Sequence, residues 1–279
     1  MKVLCVGNIN MDITFPTERL PGPHEKMTVP GAVIGFGGSA ANTAYWLARL
    51  GCRVSMAGAV GNDSPGKSHI DQLKSVGIET GGISMEAASS GVAVILARGE
   101  EKRIIRSPGA NHCGSCRPDL LEECRLVYLS GSNRDLLLSY AEEASARGVM
   151  FFYGPAGRAE GELLEAANGI ILNDDELKKM TGLPDPGEGL LSLGKDCGAV
   201  TLPGGGCLVA AAGRLEEVPS PRLEPVDRTG GGDAFAAGFL RGYMGGGSPG
   251  DWGERGNLMA AAVIGKWGAR PQDAGPLPL

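Results

Sequence analysis

VDRTGGGDAFAAGF, residues 226–239, sets three consecutive glycines, Gly230, Gly231 and Gly232, ahead of Asp233 and a run of small and aromatic residues with helical spacing. Glycines at a helix start leave backbone N–H groups unhindered, and the helix dipole draws anions to that end. Asp233 falls where a transferred phosphate would lie. A carboxylate repels a resting phosphate, so its useful task there is to take a proton from an attacking hydroxyl. An aspartate after a glycine turn also serves as a plain helix cap. Local chemistry leaves both readings open, and the rest of the chain must choose.

Two other glycine motifs compete for a nucleotide. GNDSPGKS, residues 61–68, fits the phosphate-loop pattern G-x-x-x-x-G-K-[ST], with a strand expected before it and a helix after it. Inside the ring, however, Pro65 has no N–H to offer and Asp63 brings negative charge beside an anion. No apolar strand ending in a magnesium-binding aspartate follows. GFGGSA, residues 35–40, imitates the dinucleotide fingerprint, but no acid for the ribose ends the next strand before Asp63. The chain holds 46 glycines in 279 residues, where average usage gives about 20, so chance matches are expected. A P-loop phosphotransferase using Lys67 is therefore the weakest reading.

Net charge is −6, and no Lys/Arg run is long enough to act as a nucleic-acid footprint. No apolar stretch approaches a membrane span, and the N-terminus lacks a signal-peptide core, so the expected compartment is cytoplasmic, with no nucleic acid and no membrane as partner. The 7 cysteines are odd in number and scattered. Only His112, Cys113 and Cys116 have metal-like spacing, without a second Cys pair, so free thiols are expected.

Apolar runs at Val3–Val6, Val54–Val60, Leu126–Leu129, Val149–Tyr153, Ile170–Leu172, Ala199–Leu202 and Cys207–Ala211 alternate with helical patterns closed by glycine. From Leu126 onward the runs are nearly continuous, as in strands covered on both faces. This order predicts one α/β domain over 1–279, a three-layer sandwich with a mostly parallel sheet. Segments of about 13–35 and 90–107 have strand character without crossover helices. Their strands are expected to pair with each other as a small β lid.

The glycine stretch of the opening resembles the D-T-x-[GA]-[GA]-G-D signature of the ribokinase-like, or PfkB, family of sugar kinases. Other segments match the family in its order: GNINMD (7–12), FGGSAANTA (36–44), GANHCGSCRPD (109–119), ILNDDE (171–176), TLPGGG (201–206) and GKWGARP (265–271). The resemblance implies an ATP-dependent kinase that phosphorylates a hydroxymethyl group of a small sugar of ribose or fructose type. GNDSPGKS then resembles a structural turn near the sugar side, with Lys67 on a solvated helix.

Roles follow position by position as implications of that resemblance. Asp233 is the base and Gly230–Gly232 the anion hole. Asn10, Asp12, Gly38, Ser39 and Asn42 meet the sugar. Asn173, Thr201, Gly204, Gly206 and Asn257 meet the nucleotide, and Glu176 organises Mg²⁺ through water. An Asn and a Glu three apart also make a plain capping box. Asp227 with carbonyls near Thr229, Val263 and Gly268 resembles the family's monovalent-cation (K⁺) site, and the lid implies a homodimer in some members. Ser39 stands where ribokinases proper carry lysine, no acid near Gly131 matches their sugar-binding glutamate, and Pro203 replaces a glycine of the nucleotide loop. Arg228 replaces a threonine beside the cation site, and its guanidinium is expected to supply the charge of K⁺. The GGSAANTA wording resembles archaeal nucleoside kinases, which makes a nucleoside the rival substrate; a sugar sensor without catalysis is a further alternative.

Overall fold

The computed structural model describes residues 2–98, 101–157, 159–271 and 277. The chain opens with β1 (Lys2–Gly7), β2 (Asn10–Pro16), β3 (Val33–Gly37), α1 (Ser39–Arg49), β4 (Arg53–Gly61), α2 (Ser64–Ser75) and β5 (Glu79–Glu86). A hairpin of β6 (Gly91–Arg98) and β7 (Glu101–Ser107) follows. Next come β8 (Cys124–Ser130), α3 (Arg134–Ala146), β9 (Met150–Tyr153), α4 (Gly161–Ala166), β10 (Gly169–Asn173), α5 (Asp174–Thr181) and α6 (Pro186–Ser192). The last elements are β11 (Cys197–Thr201), β12 (Cys207–Ala211), β13 (Arg214–Val218), α7 (Gly231–Gly245) and α8 (Pro249–Ile264).

Among the described residues one sheet has the order β13-β12-β11-β10-β9-β8-β1-β4-β5. It is parallel from β11 to β5, and β12 and β13 join it antiparallel. Strand β1 shows why its runs carry no polar alternation. Val3 and Cys5 pack into the core with α1, α7 and α8, while Leu4 and Val6 pack with α3 on the other face. The expected α/β sandwich is observed. The shallow elements β5, β13 and α4 carry no apolar run and were not anticipated: β13 is largely exposed at the sheet's edge, and α4 is a helix of 6 residues.

The second sheet, β3-β2-β6-β7, unites the two segments expected to pair. It is mixed, because β2 runs parallel to β6. Its register sorts side chains by alternation. Asp12, Ala93 and Arg106 stand in one row, and Ala97 and Lys102 share that face. Ile34, Ile13, Val94 and Ile105 form a row on the opposite face.

The phosphate-loop look-alike holds the small sheet to the large one. Asp63 caps α2 by accepting from Gly66 N (2.8 Å), and it also accepts from Ser90 N (2.8 Å) and Ser90 Oγ (2.6 Å) just before β6. Burial raises the carboxyl's pKa, but these bonds outweigh it and hold Asp63 below the usual range. Lys67 is exposed on the solvent side of α2. Among the described residues all seven cysteines are free, and no group of three or more His, Cys, Asp and Glu is placed to hold a metal ion. No described helix is long and apolar enough to cross a membrane. Asp63→Ala should lower unfolding stability by about 1–2 kcal/mol, the worth of a helix cap, read by denaturant melts, while Lys67→Ala leaves it unchanged.

Candidate active site

The chain lays β4 and β5 on one side of β1 and then begins the other half of the sheet with β8, so the topology reverses beside β1. Open parallel sheets bind ligands at such a point, beyond the carboxyl ends of the strands. A cavity of about 110 Å³ lies there, bordered by Ser39, Ser130, Asn173, Glu176, Gly232 and Asp233. A second, of about 180 Å³, adjoins it along Thr201, Gly206, Ser220, Arg228, Gly232 and Asn257. Gly232 and Thr201 border both.

Gly230 adopts φ 77° as the N-cap of α7, and a side chain there would collide with Ala269. Only glycine suits that left-handed, crowded position. Gly232 by contrast has no atom within 4 Å of where a Cβ would stand, so the helix start opens directly on the cavities. Asp233 follows in the first turn.

Asp233 Oδ2 accepts from Asn42 Nδ2 at 2.7 Å. Asn42 Oδ1 accepts from Arg270 Nε at 2.7 Å. The buried guanidinium also serves Gln72 Oε1 (2.7 Å) and Gly37 O (3.1 Å), and lies 5.5 Å from the Tyr45 ring centroid. An amide has one donor end and one acceptor end, so Arg270 fixes which end Asn42 turns toward Asp233. Gly37 makes room for Asp12, whose carboxyl would lie 2.2 Å from a Cβ. Asn10 Oδ1 accepts from Asn111 Nδ2 (2.7 Å), and Asn111 Oδ1 in turn accepts from Ile9 N (2.8 Å), which pins the start of β2. Gly38 caps α1, and Ser39 begins it.

The electrostatics separate the groups. Burial pushes the Asp233 carboxyl up to about 7, with Asp12 and Glu176 adding to the rise and Asn42 and Arg270 opposing it. Burial likewise raises Asp12 to about 6, against Arg270, Arg106 and Lys102. Arg270 itself is lowered to about 9 by burial, despite the two aspartates. A carboxyl near 7 is matched to proton acceptance at neutral pH.

Asn173 and Glu176 form the capping box of α5, and Glu176 Oε1 also accepts from Gly157 N at 2.8 Å. Burial raises the Glu176 pKa more than these bonds lower it. Asn257 borders the second cavity while its Nδ2 bonds Val218 O (3.0 Å) and Pro219 O (3.3 Å). Gly205 and Gly206 border that cavity; Gly204 does not.

The expected cation site is assembled differently from its sequence reading. Lys102 Nζ lies 2.8 Å from Asp227 Oδ1 and 2.6 Å from Thr229 Oγ1. Gly268 donates its N–H to Asp227 Oδ2 (3.0 Å), and Val263 O accepts from Lys266 N (3.1 Å). Arg228 borders the second cavity instead. Sequence reasoning missed Lys102 and Arg270. Arg270 lay inside the quoted GKWGARP, and Lys102 lies in EKRIIRS, residues 101–107, which does not alternate polar with apolar, so nothing local says what either faces.

A raised carboxyl at a glycine-rich helix start, set beside a cavity at the switch point of a layered α/β sheet, can be compared with proteins of known activity. Residues 1–274 match the description "pfkB family carbohydrate kinase". The ATP-dependent ribose-1-phosphate kinase of Halopiger xanaduensis is 30% identical, covering 97% of this chain and 94% of its own. The ribokinase of Lactococcus lactis is 30% identical over 86% and 83%. The crystal structure of adenosine kinase from Sinorhizobium meliloti superposes with TM-score 0.87 at 25% identity, covering 98% and 96%. The chain belongs to the pfkB family of carbohydrate kinases, and it is an ATP-dependent sugar or nucleoside kinase.

Arg270→Leu should cost about 3–5 kcal/mol of stability, because a buried charge network loses its cation, and should raise the pKa of Asp233. Calorimetry and the acid limb of the rate profile read the two effects. Arg270→Lys should fall between, since a point charge cannot serve three acceptors as a fork does.

Proposed function

We propose that this kinase transfers the γ-phosphoryl group of ATP to the hydroxymethyl oxygen of a ribofuranosyl substrate, with Asp233 as base and the start of α7 at Gly230–Gly232 as anion hole. The observation that carries the reading is the Arg270–Asn42–Asp233 hydrogen-bond chain beside the open face of Gly232. Ribose, ribose 1-phosphate and adenosine, named for the relatives, share that ring. Asn10, Asp12, Gly38, Ser39 and Asn42 hold the sugar hydroxyls; Thr201, Gly204, Gly206, Asn173 and Asn257 serve the nucleotide.

Asp233 takes the hydroxyl proton as the oxygen attacks phosphorus in line, and the N–H groups at the helix start stabilise charge on the moving phosphoryl oxygens. Glu176 fits Mg²⁺ arriving with ATP: it is one carboxylate with two of its lone pairs in use, suited to hold the ion's waters, and Mg²⁺ supplies charge neutralisation there. The small sheet serves as a lid that excludes water, since Arg106 Nη1 already reaches Ala156 O (3.3 Å) across the cleft. Its outer row, with Ile34 and Ile105 each 67% exposed, fits a homodimer formed through the lid.

Asp233→Asn should reduce turnover by about 10²–10⁴ while substrate binding by calorimetry survives. If turnover persists, Asp233 is a cap and not the base. Wild-type kcat/KM should rise with pH and level off above about 7, because the base must be ionised. The folded state holds a proton between the ordinary value of 3.8 and about 7 that the unfolded chain has lost, so stability falls across that window, and Asp233→Asn flattens it. ADP release over pentoses, ribose 1-phosphate, hexoses and nucleosides ranks the substrates; a nucleoside well ahead of free sugars selects the rival reading. Ile105→Glu should convert the dimer to monomer in light scattering.

A further inference from the structure

Asp227 is a carboxylate whose every recorded partner is a donor. Its side chain is 1% exposed and that of Lys102 19%. Oδ1 accepts from Lys102 Nζ (2.8 Å), from Thr229 N (2.9 Å) and from Thr229 Oγ1 (2.7 Å), and Oδ2 accepts from Gly268 N (3.0 Å). The Thr229 hydroxyl, having donated to Asp227, accepts from the same ammonium at 2.6 Å. Burial alone would raise this carboxyl, yet the bonds led by Lys102 hold it below the usual range.

A monovalent metal ion needs a cage of oxygens. Here Gly268 turns an N–H inward, Val263 O is spent on the end of α8, and the carboxylate is met by an ammonium. The residues do not fit K⁺. They fit the tetrahedral NH₃⁺ head of a lysine, which carries the same single charge.

We propose that Lys102 is the built-in cation of this kinase: its ammonium replaces a dissolved monovalent ion at Asp227, orders the loop 227–230 that leads into the anion hole, and makes phosphoryl transfer independent of K⁺. The proposal rests on the reading of Gly230–Asp233 as the transfer site. Gly230 is two residues from the Lys102-bound Thr229 hydroxyl's own backbone neighbour Arg228, whose carbonyl accepts from Gly231 N (3.3 Å), so disorder at Asp227 reaches the glycines directly. The cation is carried on β7 of the small sheet. It is therefore delivered by the same element that covers the cleft.

The test compares the wild type with Lys102→Met in K⁺, Na⁺ and choline chloride at equal ionic strength, by ADP release and by melting temperature without substrate. Wild-type rate and melting should be the same within twofold and within a degree or so in all three salts. Lys102→Met should lose about tenfold or more in kcat in choline and recover most of it in K⁺ or NH₄⁺, with a melting temperature that rises with K⁺. Severalfold K⁺ activation of the wild type overturns the proposal without any variant. A Lys102→Met enzyme with full rate in choline also overturns it, as does a loss that no monovalent ion restores in rate or melting. Should the transfer-site reading itself fail, the melting response to K⁺ still reports whether Lys102 stands in for the ion.

Discussion

A buried guanidinium whose field reaches two buried carboxylates, Asp12 and Asp233, is the constraint around which this molecule is arranged. Arg270 near the C-terminus holds Asn42 of α1, and Asn42 holds Asp233 of α7. Asp12 of β2 shares the same positive field. Four segments far apart in sequence must therefore meet before any of the charges is tolerable, because an isolated ion removed from water costs several kcal/mol. Trp46 Nε1 bonding Ala269 O (3.0 Å) secures the same junction from the apolar side.

The sandwich was readable because burial on both faces of a strand leaves an apolar run that needs no partner to be recognised, as in Val54–Val60 and Leu126–Leu129. The edges were not: β5 and β13 have water on one side, and their side chains say little about pairing. Among the site residues, one governed by a backbone demand stood out, since Gly230 takes a left-handed, crowded conformation that glycine alone meets. Residues whose meaning is a distant partner did not. Lys102 sits among charged neighbours on a strand whose sequence does not single it out, and the carboxylate it serves lies 125 positions away. The cation that pairs with Asp227 comes from a neighbour in space, Lys102, where the sequence had pointed to Arg228, its neighbour in the chain.

Alternation gives the small sheet two unlike surfaces from one set of strands. The same register that turns Asn10, Asp12, Lys102 and Arg106 inward turns Ile13, Ile34, Val94 and Ile105 outward. A slip of one residue would exchange the two sets. Binding chemistry and any lateral association are thus locked to one pairing register, and neither can drift without the other.

The bond from Asp63 to Ser90 gives this sheet a mechanical asymmetry. Near Gly91 it is bolted by neutral donors into one capping carboxylate and by Asn111 to Asn10, contacts that salt hardly touches. At the far end of the hairpin the fastening is the Lys102–Asp227 ion pair, which dissolved ions weaken as far as water reaches it. The two ends of the small sheet are thus fastened by unlike means, one indifferent to salt and one sensitive to it, and the stretch that mimicked a phosphate loop supplies the first.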